Sequence, residues 1–132
     1  MKYLLDTNIC IYLIKKKPAS VLNRLKKTKL DDIGISSITL SEMEYGVEKS
    51  ERRNQNKAAL AEFMAPMNIL PYDDLAAAQY GPLRSFLEKI GKTLGALDML
   101  IAAHALSLNL TMVTNNVREF QRVPNLKVEN WI

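Results

Sequence analysis

The sequence has few of the side chains on which many active sites depend, with one cysteine, one histidine and one tryptophan in 132 residues. The lone thiol, Cys10, excludes an internal disulfide and a cysteine-based zinc cluster, and it fits a reducing cytoplasm. The lone imidazole, His104, leaves no credible Ser-His-Asp set. No apolar run approaches the roughly 20 residues that cross a bilayer, and neither a signal-peptide plan nor a Gly-rich phosphate loop is present. These absences predict a cytoplasmic protein with no membrane partner.

The remaining composition is typical of a globular protein, with 48% hydrophobic and 24% charged residues. The length predicts one domain, residues 1–132. The net charge of +4 is uneven, because residues 1–30 carry +7 and the remainder −3. Clustered cations are typical of proteins that bind polyanions, so Lys15, Lys16 and Lys17 are candidate contacts to an RNA backbone. The simpler interpretation is a solvated helix face, which charge alone favours.

Short apolar runs alternate with longer segments of helical character along the chain. Strands are predicted near 2–5, 33–35, 68–70, 111–113 and 126–128. Helices are predicted near 7–15, 19–28, 39–49, 52–64, 73–90, 97–108 and 117–122, with a kink or break at Gly81-Pro82. This alternation indicates an α/β domain with a mostly parallel sheet, in which helices outweigh strands.

Several polar residues stand where a strand ends or a helix begins, and each has a local explanation. Asp6 follows the first strand and suits the N-cap of the next helix. Glu42 completes a T-x-x-E capping box with Thr39. Asn116 and Glu119 form a similar pair after a later strand. Taken one at a time, these residues are adequately explained as caps.

Asp98 is harder to explain as a cap. It lies in the first turn of a helix that is apolar nearly all round and is therefore predicted to be buried. Aspartate is almost never fully buried without a partner. Its neighbours on the helix surface are Ile101, Ala102 and Ala105, so a nearby cation would resolve the conflict.

The case for a functional site is stronger when these residues are considered together. In a right-handed β–α–β unit, the carboxyl ends of the strands and the N-termini of the following helices lie at one edge of the sheet. Asp6, Glu42, Asp98 and the Asn116–Glu119 pair are thus expected to converge. Clustered carboxylates need a counter-charge, and oxygen ligands suit Mg²⁺ or Mn²⁺. Such a site can hydrolyse phosphodiesters.

Four segments, taken in order, carry a family resemblance across nearly the whole chain. They are Leu4-Leu5-Asp6-Thr7-Asn8-Ile9, Ile35 to Glu42 with Tyr45-Gly46, Gly95 to Ala105, and Val113 to Phe120. The chain resembles the PIN-domain ribonucleases, specifically the VapC-type toxins of bacterial type II toxin–antitoxin pairs. The resemblance implies a PIN-like three-layer domain with a short, mostly parallel central sheet flanked by helices.

The resemblance also implies a Mg²⁺-dependent endoribonuclease, with Mn²⁺ as a substitute, that inhibits translation and growth. Asp6 and Asp98 match the family's principal metal ligands, and Glu42 matches its third acid. A fourth acid of many relatives is replaced here by Asn116, which adds no charge, so Glu119 is the candidate for the missing carboxylate. This departure favours one metal ion over two. Relatives with the Asn-Asn pair include toxins that cleave initiator tRNA, which makes tRNA an expected substrate.

The resemblance further implies partners. VapC-like toxins usually form homodimers and are held inactive by a cognate VapB-type antitoxin, whose C-terminal tail crosses the active-site groove. That tail often places an arginine among the acids, where a guanidinium can pair with a carboxylate. Promoter DNA is expected to be bound only through the antitoxin.

Three alternatives compete with a nuclease. A phosphatase of the haloacid dehalogenase type also opens with a strand and an aspartate, but it needs an acid at the position of Asn8. A catalytically weak PIN-fold module that binds RNA without toxin activity is permitted by Asn116, although Asp6, Glu42 and Asp98 are all present. A purely structural domain whose acids are all caps leaves Asp98 unexplained.

Overall fold

The computed structural model describes all residues from Met1 to Ile132 and contains one five-stranded sheet in the order β3-β2-β1-β4-β5. The strands are β1 (Tyr3–Leu5), β2 (Ile33–Ser36), β3 (Asn68–Leu70), β4 (Thr111–Val113) and β5 (Val128–Glu129). The helices are α1 (Thr7–Lys15), α2 (Ala19–Lys26), α3 (Ser37–Glu48), α4 (Arg53–Met64), α5 (Asp74–Lys89), α6 (Ala96–Leu108) and α7 (Val117–Phe120). None of these helices has both the length and the apolar character that crossing a bilayer requires.

Every neighbouring pair of strands runs parallel, so the carboxyl ends of all five strands lie at one edge of the sheet. β1 lies at the centre, between β2 and β4. The residues that follow β1 and β4 are therefore adjacent, as the backbone bond from Asp6 N–H to the Val113 carbonyl shows at 2.8 Å. Strand order, which the sequence pattern does not reveal, decides which polar residues meet.

Apolar residues cover both faces of the sheet and give the three-layer architecture. Successive strand residues point to opposite faces, so Leu4 and Met112 join one apolar cluster while Leu5 and Val113 join the other. The first cluster contains residues of α5 and α6, and the second contains residues of α1 to α4. This arrangement confirms the predicted fold class.

The start of α3 corrects one prediction. The N-cap is Ser36, whose Oγ accepts from the Ile38 N–H at 3.1 Å, so the helix begins two residues earlier than predicted. Thr39 is consequently buried inside the helix, and its hydroxyl has no hydrogen-bond partner. The predicted Thr39–Glu42 capping box is therefore wrong, and Glu42 is left without its local explanation.

Pro82 does not divide α5, which is a single helix of 16 residues. The helix continues through Gly81-Pro82, where a kink or break was predicted, without an interruption. Both ends of the helix are as expected, because Asp73 caps it by accepting from the Ala76 N–H and Ile90 follows its last residue. A long helix is thereby available to pack along α6.

His104 links two layers of the fold. It lies on α6 with 1% of its surface exposed, and its Nδ1 lies 2.8 Å from the Ser36 hydroxyl at the end of β2. Its ring also packs edge-on against Tyr72. His104 is thus a packing residue. It follows Asp98 by six residues, about 240° round the helix, and so lies away from that acid.

A pH dependence follows from this burial. Burial lowers the pKa of His104, although Asp73 and the Pro71 backbone act in the opposite direction. Because the unfolded chain binds the proton more tightly, the stability that His104 contributes is present above about pH 6.5 and is lost as the pH falls below it. Urea unfolding at pH 7.5 and 5.5 should show a larger loss for the wild type than for His104→Asn. An equal loss in both proteins would contradict this expectation.

Candidate active site

Asp6 is the buried centre of the candidate site. It follows β1 directly and is 4% exposed. Its Oδ1 accepts from the Thr7 N–H at 2.8 Å, which confirms its predicted role as the N-cap of α1. Burial raises the pKa of Asp6, the bonds from Thr114 and Thr7 lower it, and Glu42 raises it. The residue is therefore a cap whose carboxylate also lies in the field of another acid.

Thr114 ties Asp6 to the segment that follows β4. Its buried Oγ1 donates to Asp6 Oδ2 at 2.7 Å and accepts from the Asn116 N–H at 2.9 Å. The hydroxyl thus uses its donor and one acceptor site, and it fixes the orientation of the Asp6 carboxylate. Two neighbouring strands contribute to one hydrogen-bonded unit.

Glu42 belongs to the same site through α1. Its Oε1 accepts from the Thr7 hydroxyl at 2.8 Å, so a residue adjacent to Asp6 holds the acid of another helix. The other carboxylate oxygen has no hydrogen-bond partner among the protein groups. Glu42 therefore keeps an oxygen available for a ligand or a water.

Asp98 completes the convergence. It lies in the first turn of α6, where Gly95 is the N-cap without a side-chain bond of its own. Burial, followed by the charges of Asp6, Glu42 and Glu119, raises the pKa of Asp98 to about 6. Three carboxylates thus act on Asp98 through their charges, and we call these four acids the acid cluster.

Asn116 and Glu119 meet directly but not as a capping box. Asn116 stands at the N-cap position of α7, yet its side chain accepts no backbone bond. Its Nδ2 instead donates to Glu119 Oε2 at 2.8 Å. The predicted capping box is therefore wrong, because the Asn116 side chain accepts no backbone hydrogen bond. The bond between the two side chains instead orients the Glu119 carboxylate.

Lys15, Lys16 and Lys17 lie at the other end of α1 from Asp6. They are exposed, and α1 has nine residues, which separates its ends by about 13 Å. Lys15 lines a groove of about 300 Å³ that also reaches Thr7 and Glu42. Contact between these lysines and RNA stays a prediction.

The sequence analysis did not identify several polar residues that organise the site. Thr7 holds Glu42, and Thr114 holds Asp6. Asn115 donates to the Tyr12 hydroxyl at 2.9 Å and accepts from Asn8 Nδ2 at 3.2 Å. A hydroxyl within two residues of a strand end was an available signal for Thr7 and Thr114.

The acid cluster fits a divalent cation by the chemistry of its donors. No Lys or Arg lies within ion-pair distance of these four acids. As the side chains stand, no three acidic, His or Cys groups are close enough together to hold a metal ion. Like charges repel, as the raised pKa of Asp98 indicates, and a divalent cation would offset that repulsion and draw the carboxylates together.

Comparison with known proteins gives a consistent result. Residues 3–126 match the PIN domain family. The chain is 47% identical over 132 residues to Ribonuclease VapC2 of Rickettsia felis, covering 99% of this chain and 98% of that protein. It is 45% identical over 131 residues to the tRNA(fMet)-specific endonuclease VapC of Shigella flexneri, covering 99% of this chain and 98% of the relative.

The three-dimensional comparison agrees. The crystal structure of DNA-bound VapBC from Salmonella typhimurium contains a chain that superposes with a TM-score of 0.95 at 42% identity, covering 100% of this chain and 99% of that one. The matched length, the identity and the parallel five-stranded sheet all point the same way. The chain therefore belongs to the PIN-domain family, among its VapC-type ribonucleases.

Proposed function

We propose that this protein is a Mg²⁺-dependent endoribonuclease, with Mn²⁺ as a substitute, that acts as the toxin of a type II toxin–antitoxin pair. The observation that carries the proposal is the acid cluster, four carboxylates from separate elements with no protein cation among them. Asp6 and Asp98 would hold the ion, with Glu42 as the third acid and Glu119 in place of the charge missing at Asn116. A bound Mg²⁺ would stabilise the charge that develops on the phosphoryl oxygens.

The chain's own groups would position the reactants. The Thr114 hydroxyl and the Thr7 amide fix both oxygens of Asp6. Glu42 is anchored through one oxygen, so its second oxygen can accept a proton from an attacking water. Asn116 holds Glu119 in the field of Asp98. The site therefore combines preset carboxylates with one that remains available for proton transfer.

The proposed substrate is RNA, and tRNA in particular. The relative from Shigella flexneri is named for its specificity towards tRNA(fMet), which supports this choice at 45% identity. The exposed Lys15, Lys16 and Lys17 would contact the RNA backbone outside the acid cluster. We place this activity in the cytoplasm, where such substrates are found, and assign it to the whole chain acting as one domain.

The proposed partner is a VapB-type antitoxin that covers the site. The groove beside Glu42 is lined by Ile11, Ile14, Met43, Val47 and Leu60, which suit the apolar side chains of a peptide. Glu42 also lines this groove, so an arginine of the antitoxin bound there would pair with a carboxylate of the acid cluster. The structure from Salmonella typhimurium is a DNA-bound VapBC complex, which supports a VapB-type partner. The proposed toxin is a homodimer that reaches promoter DNA only through the antitoxin.

Metal dependence gives the direct test. Purified protein incubated with tRNA should cleave it in Mg²⁺ and should not cleave it in EDTA, because the acid cluster would lack its ion. Mg²⁺ should also raise the melting temperature, since a ligand that binds only the folded state stabilises it. Equal cleavage in both buffers would contradict the proposal. RNA binding without cleavage in Mg²⁺ would instead support a catalytically weak RNA-binding module.

A further inference from the structure

A second cavity, of about 440 Å³, has a lining in which the only charged side chains are cations. Its lining residues are Gly91, Lys92, Thr93, Arg118 and Arg122. They come from the loop that leads into α6 and from α7 with the residues directly after it. We call it the cationic cavity.

The residues that line the cationic cavity lie close along the chain to the acid cluster. Two residues after Thr93, the loop reaches Gly95, where an added Cβ would lie 3.5 Å from the Asp98 carboxylate. On the other wall, Arg118 directly precedes Glu119. Each wall therefore belongs to a segment that also carries, or leads directly into, a carboxylate of the acid cluster.

The three cations that line this cavity have no acidic partner. The ion pairs of the protein involve Arg24, Arg53, Arg84 and the N-terminal amine, and none involves Lys92, Arg118 or Arg122. Arg118 and Arg122 are four residues apart, a spacing at which like charges on a helical turn repel. An anion between them would relieve that repulsion.

The cavity is also held in shape. Arg122 donates to the Thr93 carbonyl at 3.2 Å, which joins the two walls. Leu94 on one side and Phe120 and Val123 on the other are buried in the same apolar cluster. A charged concavity with fixed walls differs from a set of mobile surface lysines, because less ordering is required when a ligand binds.

We propose that the cationic cavity binds a phosphate of the RNA backbone beside the phosphodiester that is cleaved. This inference rests on the proposed ribonuclease function. The acid cluster would repel a polyanion, and nearby cations would offset that repulsion while guanidinium groups form paired hydrogen bonds to phosphate oxygens. Lys16 and Lys17, at the far end of α1 from Asp6, are less well placed for this role.

The test is a charge-removing double variant, Lys92→Gln/Arg118→Gln. Both residues are exposed, so the fold should be retained, and Arg122 keeps its bond to the loop. Binding of a fluorescein-labelled single-stranded RNA decamer is measured by anisotropy in EDTA, over a range of salt. The dissociation constant should rise about 10-fold, and the slope of log affinity against log salt should become shallower by about 1. In Mg²⁺, KM for tRNA should rise while kcat changes little.

A matched control removes two lysines from the opposite edge of the sheet. Lys2 and Lys127 precede β1 and β5 and are exposed, so Lys2→Gln/Lys127→Gln changes the net charge by the same amount. This control should keep the wild-type salt slope. The charge-preserving variant Lys92→Arg/Arg118→Lys should retain most of the affinity.

Three results would overturn the inference. If the cavity variant matches the control in affinity and slope while the wild type cleaves tRNA, the cavity is not a phosphate site and the proposed function stands. If RNA binding is unchanged but the antitoxin dissociates more readily from the variant, the cavity serves an acidic segment of that protein. Failure of the wild type to bind or cleave RNA would remove both the inference and the proposed function.

Discussion

Replacing Asp98 with asparagine is expected to abolish RNA cleavage and, in EDTA, to raise the melting temperature. Cleavage should fall by at least about 100-fold, because a proposed ligand of the ion that would stabilise the reacting phosphate is lost. Stability should increase because burial, and after it the charges of Asp6, Glu42 and Glu119, disfavour the ionised carboxylate and raise its pKa to about 6. An isosteric neutral side chain removes that repulsion at neutral pH.

The pH dependence of this stabilisation follows from the direction of the pKa shift of Asp98, and its size follows from the magnitude of that shift. The folded state prefers protonated Asp98 between its ordinary pKa of 3.8 and about 6, so the wild type loses stability as pH rises through that window. A shift of this size represents roughly 3 kcal/mol, which solvent screening at a half-buried group reduces to about 1 kcal/mol. The melting temperature of the variant should exceed that of the wild type by about 3 °C at pH 7.5 and by little at pH 4.

Asp74→Asn is the matched control for Asp98→Asn. Asp74 is exposed in the first turn of α5, so its loss removes a favourable interaction with the helix dipole and no contact with the acid cluster. It should lower the melting temperature slightly and leave cleavage unchanged. A lower melting temperature for Asp98→Asn above pH 6, or cleavage at the wild-type rate, would contradict the role of Asp98.

Replacing Thr114 with valine is expected to be among the most destabilising single changes at the site. The substitution keeps the shape but leaves buried Asp6 Oδ2 without its donor and the Asn116 N–H without its acceptor. One buried and one half-buried polar group without partners cost about 2–4 kcal/mol, which corresponds to a melting temperature about 10 °C lower. Because the Asp6 carboxylate would no longer be fixed, cleavage should fall about 10- to 100-fold.

Two variants isolate the hydroxyl of Thr114. Thr114→Ser keeps the donor and acceptor, so it should retain most of the stability and activity. Thr111→Val changes the first residue of the same strand, where the threonine takes no part in the site, and should have a small effect. Cleavage by Thr114→Val at the wild-type rate, with Mg²⁺ affinity unchanged, would show that Asp6 needs no such support.

The polar residues of the site were only partly predictable from the sequence. The prediction that Asp6 caps α1 is confirmed, and the prediction that Thr39 and Glu42 form a capping box is wrong because Ser36 begins the helix. Local pattern could not distinguish these cases, since both residues suit a helix N-terminus. The bond from Thr7 to Glu42 joins residues 35 positions apart, and sequence periodicity does not encode such a contact.

The alternation of strands and helices could be predicted from the sequence alone, because hydrophobic period and capping residues are local properties. Asp6, Glu42 and Asp98 were likewise identified from their predicted positions at element ends. The order of the strands, with β1 between β2 and β4, emerged only from the folded chain, and that order brings Asp6, Thr114 and the N-terminus of α6 together. The fold also brings Lys92 to the same cavity as Arg118 and Arg122, more than 20 residues further along the chain. Long-range packing, and not local pattern, sets which chain segments are neighbours.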